Sequence, residues 1–156
     1  MAHSNRIPSL RRTARACGNA LAVGLSASLV ASSFAQGAPM KIRLQVGGET
    51  ATATLNDSAA SRDFAALLPL SLTLENYAGV ERIATLPAKL SAAGSPEGIA
   101  PRTGDIAFYA PWGNLAVFVG DDVYASGLLR LGRVDTGLAV LRRQGPFPVR
   151  IERLPD

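Results

Sequence analysis

Hydrophobic and polar residues alternate along several short segments of the chain, and a period of two is typical of half-buried β-strands. The first such segment is Met40–Val46. Gly47-Gly48 follows it and favours a tight turn, so the alternating threonines and alanines of Glu49–Leu55 predict the returning strand of a hairpin. Later strands are predicted over six further segments, namely 70–74, 80–86, 104–110, 114–119, 128–131 and 147–154.

Two short helices are predicted among these strands. Polar N-cap residues at 56–58 precede the helical apolar spacing of Ser58–Leu68, and the proline that follows ends this helix. Asp135 or Thr136 is expected to cap a second helix that runs through Arg143.

The number and length of the strands favour a barrel. A closed barrel of about eight short strands leaves no exposed sheet edge. We therefore predict a mainly β fold, a closed barrel with two short helices. The glycines and prolines of 87–104 predict a long loop between the fourth and fifth strands, and loops of this length in compact domains are often functional.

Residues 1–35 have the order of features of an export signal. Arginines come first, a weakly apolar stretch rich in Ala, Gly and Ser follows, and Ser33-Phe34-Ala35 places small residues where a signal peptidase requires them. We predict a signal peptide over 1–35, cleaved after Ala35, and one barrel domain over 36–156. The mature protein is then expected to be periplasmic or secreted, with membrane contact only during export.

Two other interpretations of this leader remain open. An uncleaved membrane anchor requires a more apolar stretch than the chain has here, and an organelle transit peptide would share its arginines and serines. Arg11-Arg12 resembles a twin-arginine export signal, so this route and the general secretory route are both possible.

The charge of the chain lies in the leader. The chain carries 16 Lys and Arg against 12 Asp and Glu, a formal net charge of +4 at pH 7. Four of the arginines and none of the acids lie in residues 1–35, so residues 36–156 carry twelve basic and twelve acidic side chains. A neutral domain has no electrostatic attraction to a phosphate backbone, and we predict no nucleic-acid partner.

Histidine and cysteine chemistry is absent from the predicted mature chain. His3 and Cys17 are the one histidine and the one cysteine, and both precede the predicted cleavage site. Thiol nucleophiles, disulfides, Ser-His-Asp triads and the usual zinc sites are therefore excluded from residues 36–156. Asp121-Asp122 is a poor basis for a hard-metal site, because neighbouring strand residues point to opposite faces. We predict no metal and no cofactor.

Three segments carry a family resemblance: the helix Ala60–Pro69, the hairpin Gly104–Asn114 and the stretch Leu131–Leu138. In these the chain resembles the bacterial cyclophilin-like proteins, small single-domain relatives of the cyclophilin barrel, and the order of the segments covers nearly all of 40–154. The resemblance implies an eight-stranded barrel with helices at its ends.

True cyclophilins are peptidyl-prolyl isomerases, which lower an uncatalysed barrier of ~18–20 kcal/mol without needing histidine or cysteine. Their catalytic arginine lies in a Phe-x-Arg-Ile stretch, and the nearest match here is Val80-Glu81-Arg82-Ile83. The resemblance therefore carries a catalytic role over to Arg82 alone. The alternative for Arg82 is an outward-facing charge on an alternating strand.

A binding role is the first functional hypothesis. Trp112 lies in a Pro-Trp-Gly-Asn turn, and Tyr77 and Tyr109 are aromatic residues with a polar end. With Arg82, these three are the candidate rim of a shallow groove for a peptide or small ligand; packing at the barrel end is the alternative for each aromatic. A weak prolyl isomerase centred on Arg82 is the second hypothesis, and an interaction module without a ligand is the third. The sequence leaves the oligomeric state open.

Overall fold

A computed structural model of the chain describes residues 39–155. The predicted signal peptide and its cleavage site after Ala35, with His3 and Cys17, lie outside the described residues. The elements in chain order are β1 (Met40–Val46), β2 (Glu49–Leu55), α1 (Ala59–Ala66), β3 (Leu70–Tyr77), β4 (Glu81–Thr85), β5 (Gly98–Ile99), β6 (Asp105–Tyr109), β7 (Asn114–Phe118), β8 (Ala125–Ser126), β9 (Leu128–Thr136), a 3-10 turn (Leu138–Arg142) and β10 (Phe147–Arg153).

Eight of these strands close into a barrel in the order β1-β10-β3-β4-β7-β6-β9-β2, and every pairing is antiparallel. The predicted mainly β closed barrel is therefore confirmed. The two remaining strands, β5 and β8, pair with each other outside the barrel. No helix within residues 39–155 has the length and apolar character that a membrane crossing requires.

The interior of the barrel is built from the alternation that the sequence shows. On β1, Ile42, Leu44 and Val46 are at most 1% exposed and belong to one apolar core with the inward residues of the other strands. The helix α1 adds Phe64, which is fully buried. Since burying a large apolar side chain contributes about 1.5–3 kcal/mol, this core is the main source of the stability of the barrel.

The helix begins where the sequence predicts it. Ser58 is the N-cap, and its Oγ accepts a hydrogen bond from the backbone N–H of Ser61 over 3.1 Å. The buried hydroxyl of Ser61 donates in turn to the carbonyl of Leu131 on β9 over 2.8 Å. These bonds fix the start of α1 against the barrel wall, and the helix ends at Ala66, ahead of a cis Leu68–Pro69 peptide bond.

The predicted second helix is wrong in type. The chain forms a five-residue 3-10 turn, Leu138–Arg142, with Gly137 at its N-cap and no capping side chain. Asp135 and Thr136 belong to β9 instead, and their side chains bond across the sheet to threonines of β2. Because those side chains are already engaged, neither is free to cap a helix.

One wall of the barrel is buried on both faces. Along β7, Leu115 and Val117 face the barrel interior, whereas Ala116 and Phe118 point outward and are also buried. The outward residues form a second, smaller apolar cluster with buried residues of β6 and β9, packed against partly buried residues of β4, β5 and β8. The long loop after β4 and the segment 119–127 contribute to this cluster, and the candidate site lies beside it.

Candidate functional site

A groove with a volume of about 200 Å³ opens on the outer face of this wall. Its apolar floor comes from Ile83, Ala116, Phe118 and Leu128 of strands β4, β7 and β9. Aromatic side chains lie among its lining residues together with two carboxylates, and we call this site the groove throughout.

Three aromatic residues come together at the groove. The Trp112 ring meets Tyr109 edge-on, with ring centroids 5.3 Å apart and planes at 79°. It meets Tyr77 in the same way, at 5.7 Å and 86°. Such edge-to-face pairs contribute about 0.5–1.5 kcal/mol beyond the burial of area. The structure therefore unites the three aromatic residues that the sequence singles out, although Tyr77 lies on a different hairpin from Tyr109 and Trp112.

The turn between β6 and β7 presents the indole. The backbone N–H groups of Trp112 and Gly113 both donate to the carbonyl of Tyr109, over 3.3 and 2.9 Å. Gly113 has a φ of +74°, a left-handed conformation that glycine adopts without a steric penalty. Trp112 is consequently held at the tip of a tight turn while 56% of its surface stays exposed.

Arg82 does not join the aromatic residues. Its neighbours Glu81 and Ile83 line the groove, but Arg82 points to the opposite face of β4 and is only 3% exposed. Its Nη1 donates to Oδ1 of Asn76 over 2.5 Å and to the carbonyl of Glu81 over 3.0 Å, and its Nε has no partner among the described residues. Burial lowers the pKa of this guanidinium. The outward-facing alternative is therefore wrong, and the catalytic role of Arg82 stays a prediction about a side chain that lies outside the groove.

Two carboxylates face the groove, those of Glu81 and Asp122. The segment after β7 brings them together, because the N–H groups of Val119 and Gly120 donate to the carbonyl of Val80 over 2.8 and 3.3 Å. Burial raises the pKa of Glu81, and the negative charge of Asp122 raises it further. Sequence reasoning missed this pair: Glu81 drew notice only as the neighbour of Arg82, and Asp122 only as half of a poor metal site.

The adjacent carboxylate, Asp121, has a structural role. Its Oδ1 accepts hydrogen bonds from the N–H and the hydroxyl of Thr103, both over 2.8 Å, and its Oδ2 accepts one from Arg102 over 3.1 Å. The Thr103 bonds are the main reason why its pKa falls to about 2. Within residues 39–155, no group of three or more His, Cys, Asp or Glu side chains is placed to hold a metal ion.

Asn114 is a further groove residue that sequence reasoning missed. It is 7% exposed and lines the groove at the start of β7. Its side-chain amide carries two N–H donors and a carbonyl acceptor. One donor–acceptor group is therefore available to a bound molecule. The signal for it was the continuous buried run of β7, which predicts burial on both faces of the strand.

Comparison with known proteins supports the fold. A sequence profile of the cyclophilin-like family matches residues 44–152. No curated protein matches the chain. Among solved structures, the chain is similar to the solution structure of the hypothetical protein AF2241 from Archaeoglobus fulgidus, with a TM-score of 0.58 and 20% identity over 78% of this chain and 99% of that one. That likeness concerns the fold alone. Since the profile spans more than half of the sequence, the chain belongs to the cyclophilin-like family.

Proposed function

We propose that this chain is an exported, non-catalytic binding protein whose groove takes part of a peptide or a small ligand. The observation that carries the proposal is the position of Trp112, exposed at the groove and in edge contact with both Tyr77 and Tyr109. Exposed tyrosine and tryptophan side chains are enriched at binding surfaces because they bury a large area at a small entropic cost.

The size of the groove limits what it can hold. An engineered protein cavity of about 150 Å³ binds a benzene molecule. A groove of about 200 Å³ therefore has room for one ring or one long side chain, with the remainder of the ligand on the surface outside. This size fits an anchor residue of a peptide or a small aromatic molecule better than a dinucleotide.

The chemistry of the lining favours binding over catalysis. Among the residues that line the groove are tyrosine, tryptophan, asparagine and carboxylate side chains, but no serine, threonine, lysine or arginine. The isomerase alternative depends on Arg82, whose guanidinium is bonded to Asn76 on the other face of β4. The lining of the groove therefore holds no cationic donor for a proline nitrogen.

Tryptophan fluorescence tests the binding role directly, because Trp112 is the one tryptophan in the chain. A panel of short peptides and small aromatic molecules is titrated while Trp112 emission is followed, and hits are checked by thermal shift, since a ligand that binds the native state raises Tm. Tyr77→Ala is expected to weaken binding at least ~10-fold, the effect of removing a hot-spot aromatic. Tyr124→Ala is the matched control, because Tyr124 is 57% exposed but does not line the groove.

Two results would overturn this proposal. If no panel member changes either Trp112 emission or Tm, the interaction module without a ligand replaces it. If a coupled isomerisation assay shows catalysis that disappears in Arg82→Ala, the isomerase replaces it.

The exported location rests on the features of residues 1–35. N-terminal sequencing of the protein recovered from outside the cytoplasm tests it. A terminus at Gln36 supports export with cleavage after Ala35, whereas an intact Met1 terminus contradicts the signal peptide.

A further inference from the structure

We infer that the groove selects ligands in which an organic cation adjoins an apolar or aromatic group, with the cation against Glu81 and Asp122 and the apolar part against Trp112. This inference rests on the proposed binding function and adds the ligand class. A lysine or arginine side chain of a peptide and a free amine share this cationic chemistry, and the test below distinguishes the two sources.

The first step is the state of the two carboxylates. Salt bridges within residues 39–155 engage six other acidic side chains, those of Glu49, Asp57, Asp105, Asp121, Asp135 and Glu152. Glu81 and Asp122 make none with the described residues, although both are partly buried. The nearest cations along the chain are engaged elsewhere, since Arg82 faces the barrel interior and Arg102 pairs with Asp121.

The second step is the energy of that arrangement. Burial of Glu81 beside an apolar floor removes its hydration and the charge of Asp122 repels its own, and both effects disfavour ionisation of Glu81. The raised pKa of Glu81, with burial and Asp122 as its causes, agrees with this geometry. A bound cation would pair with both carboxylates and relieve the repulsion. The groove is therefore expected to bind a cation more tightly than an exposed pair of acidic side chains would.

The third step separates an organic cation from a metal ion. Calcium takes six to eight oxygen ligands, and no group of three acidic side chains is assembled within residues 39–155. The aromatic residues Tyr77, Tyr109 and Trp112 share the same groove, and aromatic faces attract ammonium and guanidinium groups within about 6 Å of the ring. The side-chain amide of Asn114, which lines the same groove, supplies a neutral hydrogen bond to the rest of the ligand.

The test uses blocked dipeptides that differ in one side chain, Phe-Lys, Phe-norleucine and Phe-Glu, with phenethylamine as the free amine. Binding is read from Trp112 emission and by calorimetry. The lysine peptide is expected to bind at least ~10-fold more tightly than its norleucine match, which keeps the length and removes the charge. Glu81→Gln and Asp122→Asn are each expected to remove the preference for the lysine peptide over its norleucine match. Glu75→Gln is the charge-matched control, because Glu75 is exposed and does not line the groove.

The outcomes distinguish this inference from the binding proposal beneath it. Equal affinity for the lysine and norleucine peptides overturns cation selection while binding itself stands. No binding by any of the four probes, with no Tm shift, overturns cation selection; the binding proposal falls with it when the wider panel also changes neither Trp112 emission nor Tm. A change in Trp112 emission with Ca²⁺ or Mg²⁺ alone, abolished by Asp122→Asn, overturns the organic-cation inference in favour of a metal. Tighter binding of phenethylamine than of the lysine peptide supports cation selection and assigns the source to a free amine; the reverse order assigns it to a basic peptide.

Discussion

The guanidinium of Arg82 donates a hydrogen bond from Nη1 to Oδ1 of Asn76 over 2.5 Å, between paired residues of β3 and β4. The contact lies on the face of β4 that carries the buried Ala84, away from the groove. No carboxylate among the described residues forms a salt bridge with Arg82. The chain therefore holds a buried cation with neutral acceptors only. This arrangement destabilises the folded state and so lowers the free energy of unfolding.

Replacing this cation is expected not to harm the fold. Arg82→Met keeps the length of the side chain and removes the charge, and exchange of buried charged groups for well-packed apolar ones is often neutral or stabilising by about 1–4 kcal/mol. Urea unfolding followed by circular dichroism measures the change. Arg153→Met is the control, since Arg153 is exposed and its substitution should stay within about 0.5 kcal/mol of the parent chain. A loss of more than about 1 kcal/mol in Arg82→Met would show that the Asn76 bond stabilises the barrel.

The pKa of Arg82 fixes how this difference depends on pH. A folded-state pKa below the usual value means that folding disfavours the cation, and that cost applies at every pH below the folded pKa. The stability difference between Arg82→Met and the parent chain is therefore expected to be constant from pH 5 to pH 8. Unfolding curves at several pH values check this. A stability difference that varies across the range would show that a neighbouring titrating group, and not Arg82 alone, contributes to it.

The pKa shift of Asp121 stabilises the folded state, whereas that of Arg82 destabilises it. The pKa of Asp121 falls from the ordinary 3.8 to about 2 because Thr103 and Arg102 bond the charged form. A lowered folded pKa contributes stability above pH 3.8 that is lost as the pH falls through about 2. Asp121→Asn is therefore expected to be less stable than the parent chain at pH 7, and the two should converge between pH 3.8 and about 2.

Thermal melts from pH 7 down to pH 2 test the Asp121 prediction. Glu97→Gln removes one negative charge from an exposed residue that makes no salt bridge within the described chain, and it controls for the change in net charge. If Asp121→Asn stays less stable than the parent chain by a constant amount down to pH 2, the prediction is contradicted. The lower stability would then come from the geometry of the amide, and not from a preference of the Thr103 bonds for the charged carboxylate.

The sequence predicts the parts of this structure whose causes are local. The alternation of Met40–Val46 and the N-cap Ser58 depend on neighbours within a few residues, and both appear where predicted. Asp135 and Thr136 were misassigned because the helix-capping preference of their side chains is overridden by bonds to β2, which is distant in sequence.

The residues of the candidate site also divide into those with local causes, which the sequence predicts, and those that depend on residues distant in sequence. Trp112 could be picked out from its turn, because an aromatic residue between proline and glycine has few ways to be buried. The pair Glu81 and Asp122 could not, because the two are 41 positions apart and meet only through the bond from Val119 to Val80. Arg82 was placed on the wrong face, since alternation alone does not say which face of a strand is inside once both faces are buried.

The strand pair outside the barrel is expected to depend on the absence of a side chain at Gly98. Gly98 pairs with Ser126, and a Cβ at Gly98 would lie 2.2 Å from the carbonyl oxygen of Ala125. Because backbone atoms cannot rotate away as a side chain can, Gly98→Ala must separate β5 from β8. Ala125 also lines the groove, so this separation should disturb ligand binding as well as the local fold.

Hydrogen exchange and chemical denaturation of Gly98→Ala measure the two effects. Loss of protection is expected at Gly127, whose N–H donates to the carbonyl of Glu97 over 2.7 Å, together with a global loss of about 1–3 kcal/mol from strain. The barrel amides should keep their protection relative to this new global value, because β5 and β8 lie outside the closed ring. Gly48→Ala is the matched control, since a Cβ there meets nothing within 4 Å. Unchanged protection at Gly127 in Gly98→Ala would contradict the prediction. It would mean that β5 and β8 shift together and stay paired, so that the shape of the groove does not depend on the close approach at Gly98.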